Sequence, residues 1–467
     1  MHRKARKFLE IWLKKDGRKP LIIRGARQVG KSTLVRLFAE KQGLKLIEVN
    51  LERYPGLSPE FASMDVKRVL REIDLGLGLG NALEQNTILF IDEIQVAPKA
   101  IQCLRYFFEE LPELPVIAAG SLLEFALSED LFSMPVGRVE YCWLGPMTFF
   151  ENLEANGKSN LIRYFDDHSI SDIVSENVHE QMLSYLRDYF ITGGMPEAVL
   201  EFSSTANRTR IEDILNQILQ SYRDDFGKYS KRVQFPILQL IFDYMGRGVG
   251  QKIKYVNISR DHKSSDLERA LGLLHMAQII TKTVKCSANI PFKASVSAKH
   301  YKPYMLDIGL LSHLSGIKKL KKGHLMHFNP ANKGALAEQY ACQHLIYLDG
   351  FRSRPESFYW FREGVNRNAE VDFLITHERY VIPVEIKAGT GGALKSLQQF
   401  CYLKKCPLAL RFDLNLPSIQ KVKAGIRIKN ETEEVRFVLL SLPLYLIEKT
   451  HGYLEQAISQ LENGDFE

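Results

Sequence analysis

The sequence predicts a multidomain α/β protein with a helical middle. Three observations carry this expectation. Over residues 1–150, short apolar runs alternate with segments of helical periodicity, the pattern of a parallel sheet. Residues 151–320 read mainly as helix and close on a β-rich tail. Over 330–467 strands and helices alternate again. At 467 residues several domains are expected.

Element by element, Phe8, Leu9, Trp12 and Leu13 stand at helical spacing. Pro20–Arg24 reads as a buried strand. After a glycine-rich turn, Leu34, Val35, Leu37 and Phe38 mark a helix face. Leu46–Leu51, Thr87–Asp92, Val116–Ala119 and Val139–Leu144 read as further strands. Residues 151–234 form a helical region, broken at Gly193-Gly194-Met195-Pro196. Over 235–320 one apolar face (Ile237, Leu238, Leu240, Ile241, Tyr244) precedes another (Leu267, Leu271, Leu274, Met276). A strand at Ile279–Val284 and a basic loop follow. That order suits a winged helix-turn-helix. Over 330–467 a helix is expected at Ala335–Leu348, strands at Val371–Ile375 and Val381–Lys387, and a helix at Leu394–Leu403.

Composition excludes several classes. Charged residues are 25% and hydrophobic ones 45%, against a largely disordered chain. The longest apolar stretch, Pro115 to Leu127, is too short to span a bilayer and carries Glu124. No membrane partner is expected, and the N-terminus lacks a signal-peptide core. Six cysteines without CxxC or zinc spacing point to reduced thiols in a cytoplasmic protein. The net charge is +7, and residues 250–305 carry an excess of that same size: Lys252, Lys254, Arg260, Lys263, Arg269, Lys282, Lys285, Lys293, Lys299 and Lys302 face only Asp261, Asp266 and Glu268. Such a stretch is a candidate phosphate-facing surface, with DNA as the expected partner.

The sharpest chemical signal is Gly25-Ala26-Arg27-Gln28-Val29-Gly30-Lys31-Ser32, followed by Thr33. It fits G-x-x-x-x-G-K-[ST] at every fixed position, between a strand and a helix. Glycines let backbone N–H groups turn inward around phosphates. Lys31 supplies a cation for the β and γ phosphates, and the Ser32 hydroxyl ligates Mg²⁺. Residues 25–33 are the expected ATP cradle. The apolar strand before Asp92 delivers that carboxylate to the Mg²⁺ water shell, and Glu93 is placed to polarise the attacking water. Ser121, after the fourth strand, is a candidate nucleotide sensor; a helix N-cap is the other reading. Arg138, after Pro135-Val136-Gly137, is either an arginine finger or a surface arginine.

Taken together, the glycine loop, Phe90-Ile91-Asp92-Glu93, Gly120-Ser121 and Gly137-Arg138 resemble the AAA-plus branch of P-loop ATPases. They resemble in particular a bacterial and archaeal family of predicted ATPases. Leu144-Gly145-Pro146-Met147-Thr148-Phe149-Phe150-Glu151, Gly193–Glu197 and Lys302–Leu310 extend the likeness. The resemblance implies an AAA-plus domain over 1–150, then a winged helix, then a C-terminal domain of uncertain role. AAA-plus domains place an Arg138-type residue in a neighbour's site, so a homo-oligomer is expected.

A second site is expected at Glu370-Val371-Asp372 and Val384-Glu385-Ile386-Lys387. Residues two apart on a strand share a face, so Glu385 and Lys387 point together. A hairpin turning about Glu378-Arg379 sets Asp372 opposite Glu385. A divalent cation would relieve the repulsion between them. Pro383 suggests an edge or a bulge. This pattern resembles the restriction-endonuclease-like nucleases. By that resemblance Asp372 and Glu385 bind Mg²⁺, Lys387 orients the attacking water, Glu338 is the helical acid, and Gln398 with Tyr402 forms a helical signature. The expected protein is therefore an ATP-binding and ATP-hydrolysing DNA-processing enzyme with a nuclease-like domain at 330–467. The alternative is a nucleotide-dependent DNA-binding or signalling switch whose last domain is inert.

Overall fold

The fold was read from a computed structural model that describes residues 2–80, 86–121, 123–124, 134–229, 233–317, 330–362, 368–389, 394–428 and 431–462. The chain forms two compact units. The first comprises residues 1–147, 273–279 and 349–355; the second comprises 148–272, 280–348 and 356–467.

The first unit is built on five short strands: β1 (Leu21–Arg24), β2 (Lys45–Asn50), β3 (Thr87–Asp92), β4 (Val116–Gly120) and β5 (Glu140–Trp143). All pair in parallel, in the order β2-β3-β4-β1-β5. Their apolar runs are long enough to be buried on both faces, as a parallel sheet requires; β1, β3 and β4 are buried throughout. One face packs against helices Val66–Leu77 and Pro98–Glu110, where Val69, Leu70, Ile73, Ile101, Leu104 and Phe107 meet Ile47, Val49, Leu89 and Ile91. Asp65 starts the first of these helices by accepting the N–H groups of Lys67 and Arg68. Because β4 lies between β1 and β3, the segments following all three open on one edge of the sheet.

The second unit carries an eight-stranded mixed sheet. Its strands are β6 (Ile280–Cys286), β7 (Val296–Met305), β8 (Ser357–Arg362), β9 (Ala369–His377), β10 (Tyr380–Ile386), β11 (Leu408–Asp413), β12 (Ser418–Ile428) and β13 (Glu431–Pro443). Their order is β12-β13-β11-β10-β9-β8-β6-β7. Helix Lys395–Lys404 covers part of it, with Phe400 edge-on to Trp360 at 5.2 Å between ring centroids. Helix Pro330–Leu345 is pinned to the end of β7 by Gln339. Its amide accepts the Met305 N–H and donates to the Met305 carbonyl, both at 2.7 Å.

The middle of the chain follows the expected order of helices and strands: Phe235–Gly248, Tyr255–Ile258, Ser264–Met276, then β6 and β7. The expected wing is not free, however. The β6–β7 hairpin is continuous with the C-terminal sheet, because β6 pairs in parallel with β8. The sheet thus runs across the expected 320/330 boundary, while residues 318–329 themselves lie outside the described residues. Pro383 is likewise not on an edge strand. It sits in interior β10, just before the parallel ladder with β11 begins at Val384, so that ladder asks no donor of it.

Two of the motifs quoted above converge in this unit. Asp307, fully buried, caps helix Ile308–Leu314 by accepting the Leu310 N–H, and it also accepts the N–H of Gly194 at 2.7 Å. Gly193 must be glycine here: φ is +69°, and a Cβ would stand 2.1 Å from Asp307 Oδ1. The role of these segments is to join helices to sheet.

Candidate functional site

The phosphate loop leaves β1 at Arg24 and enters helix Lys31–Gln42. Three features hold its shape. A Cβ on Gly25 would lie 2.3 Å from the Leu144 carbonyl oxygen. Gly30 has φ +89°, and Gln28 takes φ +65°, a conformation that costs a non-glycine residue energy and concentrates at functional loops. Arg3, itself buried, clamps the loop from outside by donating to the carbonyls of Val29 and Gly145.

Lys31 is buried, and its ammonium donates to the carbonyls of Gly25 (3.0 Å) and Ala26 (2.8 Å). Burial lowers its pKa to about 8, opposed by Glu93 and Asp92; it remains mostly a cation at neutral pH. Ser32 Oγ donates to Asp92 Oδ2 at 2.8 Å. Burial raises the Asp92 pKa, and the Ser32 bond partly offsets that. A hydroxyl and a carboxylate side by side are a hard-oxygen set, which fits Mg²⁺ shared with phosphate oxygens and water.

Glu93 stands one residue beyond the strand in the left-handed region, φ +51°. Its N–H donates to Asp92 Oδ1 at 3.0 Å, and its Oε2 accepts from Gln95 Nε2 at 2.5 Å. Gln95 was not legible as a site residue; its only sequence signal is nearness to Glu93. Gly120 makes room for it, since a Cβ there would fall 2.2 Å from Gln95 Oε1. Ser121 is buried at the end of β4, between the strands that carry the loop and Asp92.

Arg138 lies elsewhere. It precedes β5, whose Glu140 pairs with Leu21 at the start of β1, and it bonds Glu109 at 2.8 Å. Glu109 lies in the last turn of helix Pro98–Glu110, roughly 17 Å along the axis from Pro98 at 1.5 Å per residue. Arg138 is therefore at the opposite edge of the sheet from the loop of its own chain.

In the second unit the hairpin register is the expected one. Tyr380 pairs with His377 and Val384 with Phe373, which puts Asp372 and Glu385 on the next rung. The electrostatics differ from expectation. Lys302 on β7 is 2% exposed, and its ammonium lies 2.5 Å from Glu370 Oε1, 3.5 Å from Glu338 Oε2 and 3.7 Å from Asp372 Oδ1. Lys252 takes the other Glu370 oxygen at 2.6 Å, and Lys387 bonds Glu385 Oε1 at 2.6 Å. Tyr304 O–H donates to Glu338 Oε2, and the Ile386 N–H to Asp372 Oδ2. Burial would lower the Lys302 pKa, but the surrounding carboxylates outweigh it and hold the pKa above its ordinary value. Burial raises Glu385, Glu338 and Asp372.

Of the expected metal set, Glu338 and Asp372 thus face the Lys302 ammonium and Glu385 that of Lys387. Among the described residues no three His, Cys, Asp or Glu side chains converge as a metal site. The residues as arranged do not fit a divalent ion. Sequence reasoning placed Lys302 on a phosphate-facing surface, and the structure corrects this. A signal was present: Tyr301, Tyr304 and Met305 mark an apolar strand around that lysine. Lys252 and Lys282 also turn inward, the first to Glu370 and the second over the Tyr301 ring at 4.8 Å. Of the ten cations, Lys254, Arg260, Lys263, Arg269, Lys293 and Lys299 remain exposed. The six cysteines are buried free thiols. No helix among the described residues is long and apolar enough to cross a membrane.

Comparison with known proteins gives three family matches. Residues 17–153 match an AAA domain, residues 183–321 a domain of unknown function (DUF8612), and residues 333–444 another domain of unknown function (DUF4143). No curated protein matches. Among solved structures, the chain is similar to the Aeropyrum pernix Orc1 protein in complex with DNA, with 14% identity, 67% of this chain and 90% of that one covered, and a TM-score of 0.26. For the Thermotoga maritima RuvB Holliday junction branch migration motor the values are 13%, 61%, 90% and 0.28. For C. elegans PCH-2 they are 12%, 44%, 58% and 0.25. Likenesses at these scores bear on neither function nor partners. The family match and the parallel five-stranded sheet make the N-terminal part an AAA-type P-loop domain.

Proposed function

We propose that the chain binds ATP at residues 25–33 and hydrolyses it. The observation that carries this reading is the Ser32–Asp92 contact beside a buried Lys31. It joins a loop hydroxyl to the carboxylate of a strand 60 residues away, in the arrangement that phosphoryl transfer needs. In this reading backbone N–H groups of Gly25–Thr33 face the phosphates, and Lys31 leaves its loop carbonyls for the β and γ oxygens. Ser32 and Asp92 would hold Mg²⁺, which when bound neutralises charge on those oxygens. Glu93, steadied by Gln95, takes a proton from water as its oxygen attacks the γ-phosphorus and the bond to the ADP oxygen breaks. Ser121 is assigned to sensing the γ-phosphate. The edge-to-edge separation of Arg138 from its own loop supports action in a neighbouring copy, hence a homo-oligomer.

ATP titration and phosphate release at several protein concentrations test the proposal. We expect Lys31→Ala to weaken ATP binding at least tenfold. We expect Arg138→Ala to lower turnover at least tenfold at high concentration while leaving ATP affinity nearly unchanged. Equal affinity of wild type and Lys31→Ala would refute the first assignment. A turnover per chain independent of concentration would refute the second.

A second reading, duplex DNA engaged by the region 254–299, rests on its six exposed cations. Its measure is the salt dependence of affinity. Each phosphate contact adds about −0.9 to the slope of log K against log salt. Alanine at Arg260, Lys263 and Arg269 together should flatten that slope by about 2–3; an unchanged slope removes the reading.

A further inference from the structure

We propose that Lys302 is the resident counter-cation of the C-terminal carboxylate cluster, so that this cluster holds no divalent metal and cuts no nucleic acid. The inference concerns a site separate from the ATP cradle and does not depend on the ATPase reading.

The occupancy of the carboxylate oxygens carries it. Glu370 uses one oxygen for Lys302 and the other for Lys252. Asp372 gives Oδ2 to the Ile386 N–H and turns Oδ1 to Lys302. Glu338 Oε2 accepts from Tyr304 and faces Lys302. Glu385 Oε1 is taken by Lys387, and only its Oε2 is buried without a hydrogen-bond partner. Mg²⁺ demands near-octahedral oxygen at about 2.0–2.1 Å; carboxylates already committed to three ammonium groups, a tyrosine hydroxyl and a backbone N–H do not supply that.

Charge leads to the same place. Glu338, Glu370, Asp372 and Glu385 face Lys252, Lys302 and Lys387, four negative against three positive groups. A divalent ion would overshoot neutrality unless an ammonium left. Lys302 faces three of the four carboxylates, and at 2% exposure it is shut off from solvent. The strand supplies the reason for its position. Lys302 lies on β7 with buried Tyr301 and Tyr304 around it, and helix Pro330–Leu345 closes the same end through Gln339. The pattern that resembles a nuclease is therefore present as a set of residues, with a lysine from a strand outside the pattern set against Glu338, Glu370 and Asp372 and the pattern's own Lys387 against Glu385.

The experiment uses the full chain without nucleotide, so that the ATP cradle contributes no metal affinity of its own. Mn²⁺ is titrated by electron paramagnetic resonance and thermal unfolding is followed with Mn²⁺ or with chelator. For wild type we expect no saturable Mn²⁺ site and an unfolding midpoint that Mn²⁺ does not raise. For Lys302→Ala we expect a lowered midpoint in chelator, a saturable Mn²⁺ site, and recovery of several degrees on adding Mn²⁺. Lys302→Ala with Asp372→Asn should lose both gains. Saturable Mn²⁺ binding by wild type that Asp372→Asn abolishes overturns the proposal, as does plasmid nicking by wild type that needs Mn²⁺ and is lost in Lys387→Ala. A folded Lys302→Ala that ignores Mn²⁺ also overturns it. If Lys302→Ala does not fold, Lys302→Gln, which keeps a donor and removes the charge, takes its place with the same expected outcomes, and the wild-type measurements decide independently.

Discussion

Glu93→Gln is expected to lower ATP turnover by about 10²–10⁴-fold while leaving ATP affinity within a few-fold of wild type. That range is what a positioned general base contributes. Several structural details make the separation clean. The substitution is isosteric, and the position already holds φ +51°, which glutamine tolerates no worse than glutamate. The Gln95 Nε2 donor can still be accepted by an amide oxygen at residue 93. The Asp92 carboxylate keeps its bonds from Ser32 and from the residue 93 N–H, so the metal-holding side of the site is intact. Only the capacity to take a proton is removed. Single-turnover phosphate release measures the loss, and an ATP titration measures the affinity. Turnover within threefold of wild type would show that another group activates the water.

Asp307→Ala is expected to destabilise the second unit by about 3–4 kcal/mol near neutral pH. Two effects compete here. Burial alone disfavours the charge and raises the Asp307 pKa to about 6. Against that stand three donors aimed at it: the N–H groups of Gly194 and Leu310 and the Gln343 amide, at 2.7, 3.0 and 3.2 Å. Removing the acceptor leaves the Gly194 and Leu310 N–H groups unsatisfied, at roughly 1–3 kcal/mol each and not additively. The two backbone N–H groups set the size of the loss, because Gln343 Nε2 keeps a second acceptor in Tyr189 Oη at 2.9 Å.

The pH dependence follows from the same residue. The folded pKa near 6 exceeds the ordinary 3.8, so the folded state binds the proton more tightly than the unfolded chain. Its stabilising share is complete below about pH 3.8 and is lost as pH rises through 6. Asp307→Asn should abolish that slope in denaturant unfolding between pH 4 and 7. A slope unchanged by the substitution would assign it to other groups.

Much of the first site was legible in the chain. Gly25 to Ser32 are neighbours in sequence, so the loop's shape is a local matter of glycine, lysine and serine at fixed offsets. The apolar run before Asp92 told that a strand would deliver it, and the strand alternation told that the sheet would be parallel. The register of β9 on β10 was also local, set by a turn at Glu378-Arg379. In each case the interaction spans a few residues, or the period of a single element carries the information.

Other features waited on the tertiary structure. Lys302 and Asp372 are 70 residues apart, and no local pattern says that β7 and the β9–β10 hairpin will serve one carboxylate cluster. The winged-helix pattern could not show that its hairpin would pair with β8 and extend another sheet. Nor could composition tell an exposed lysine from a buried one, since both count as one charge. The residues and their local shapes were written in the sequence. Which charges would face each other was decided only when distant strands came together, because Coulomb energy depends on separation in space and on the water excluded from between the groups.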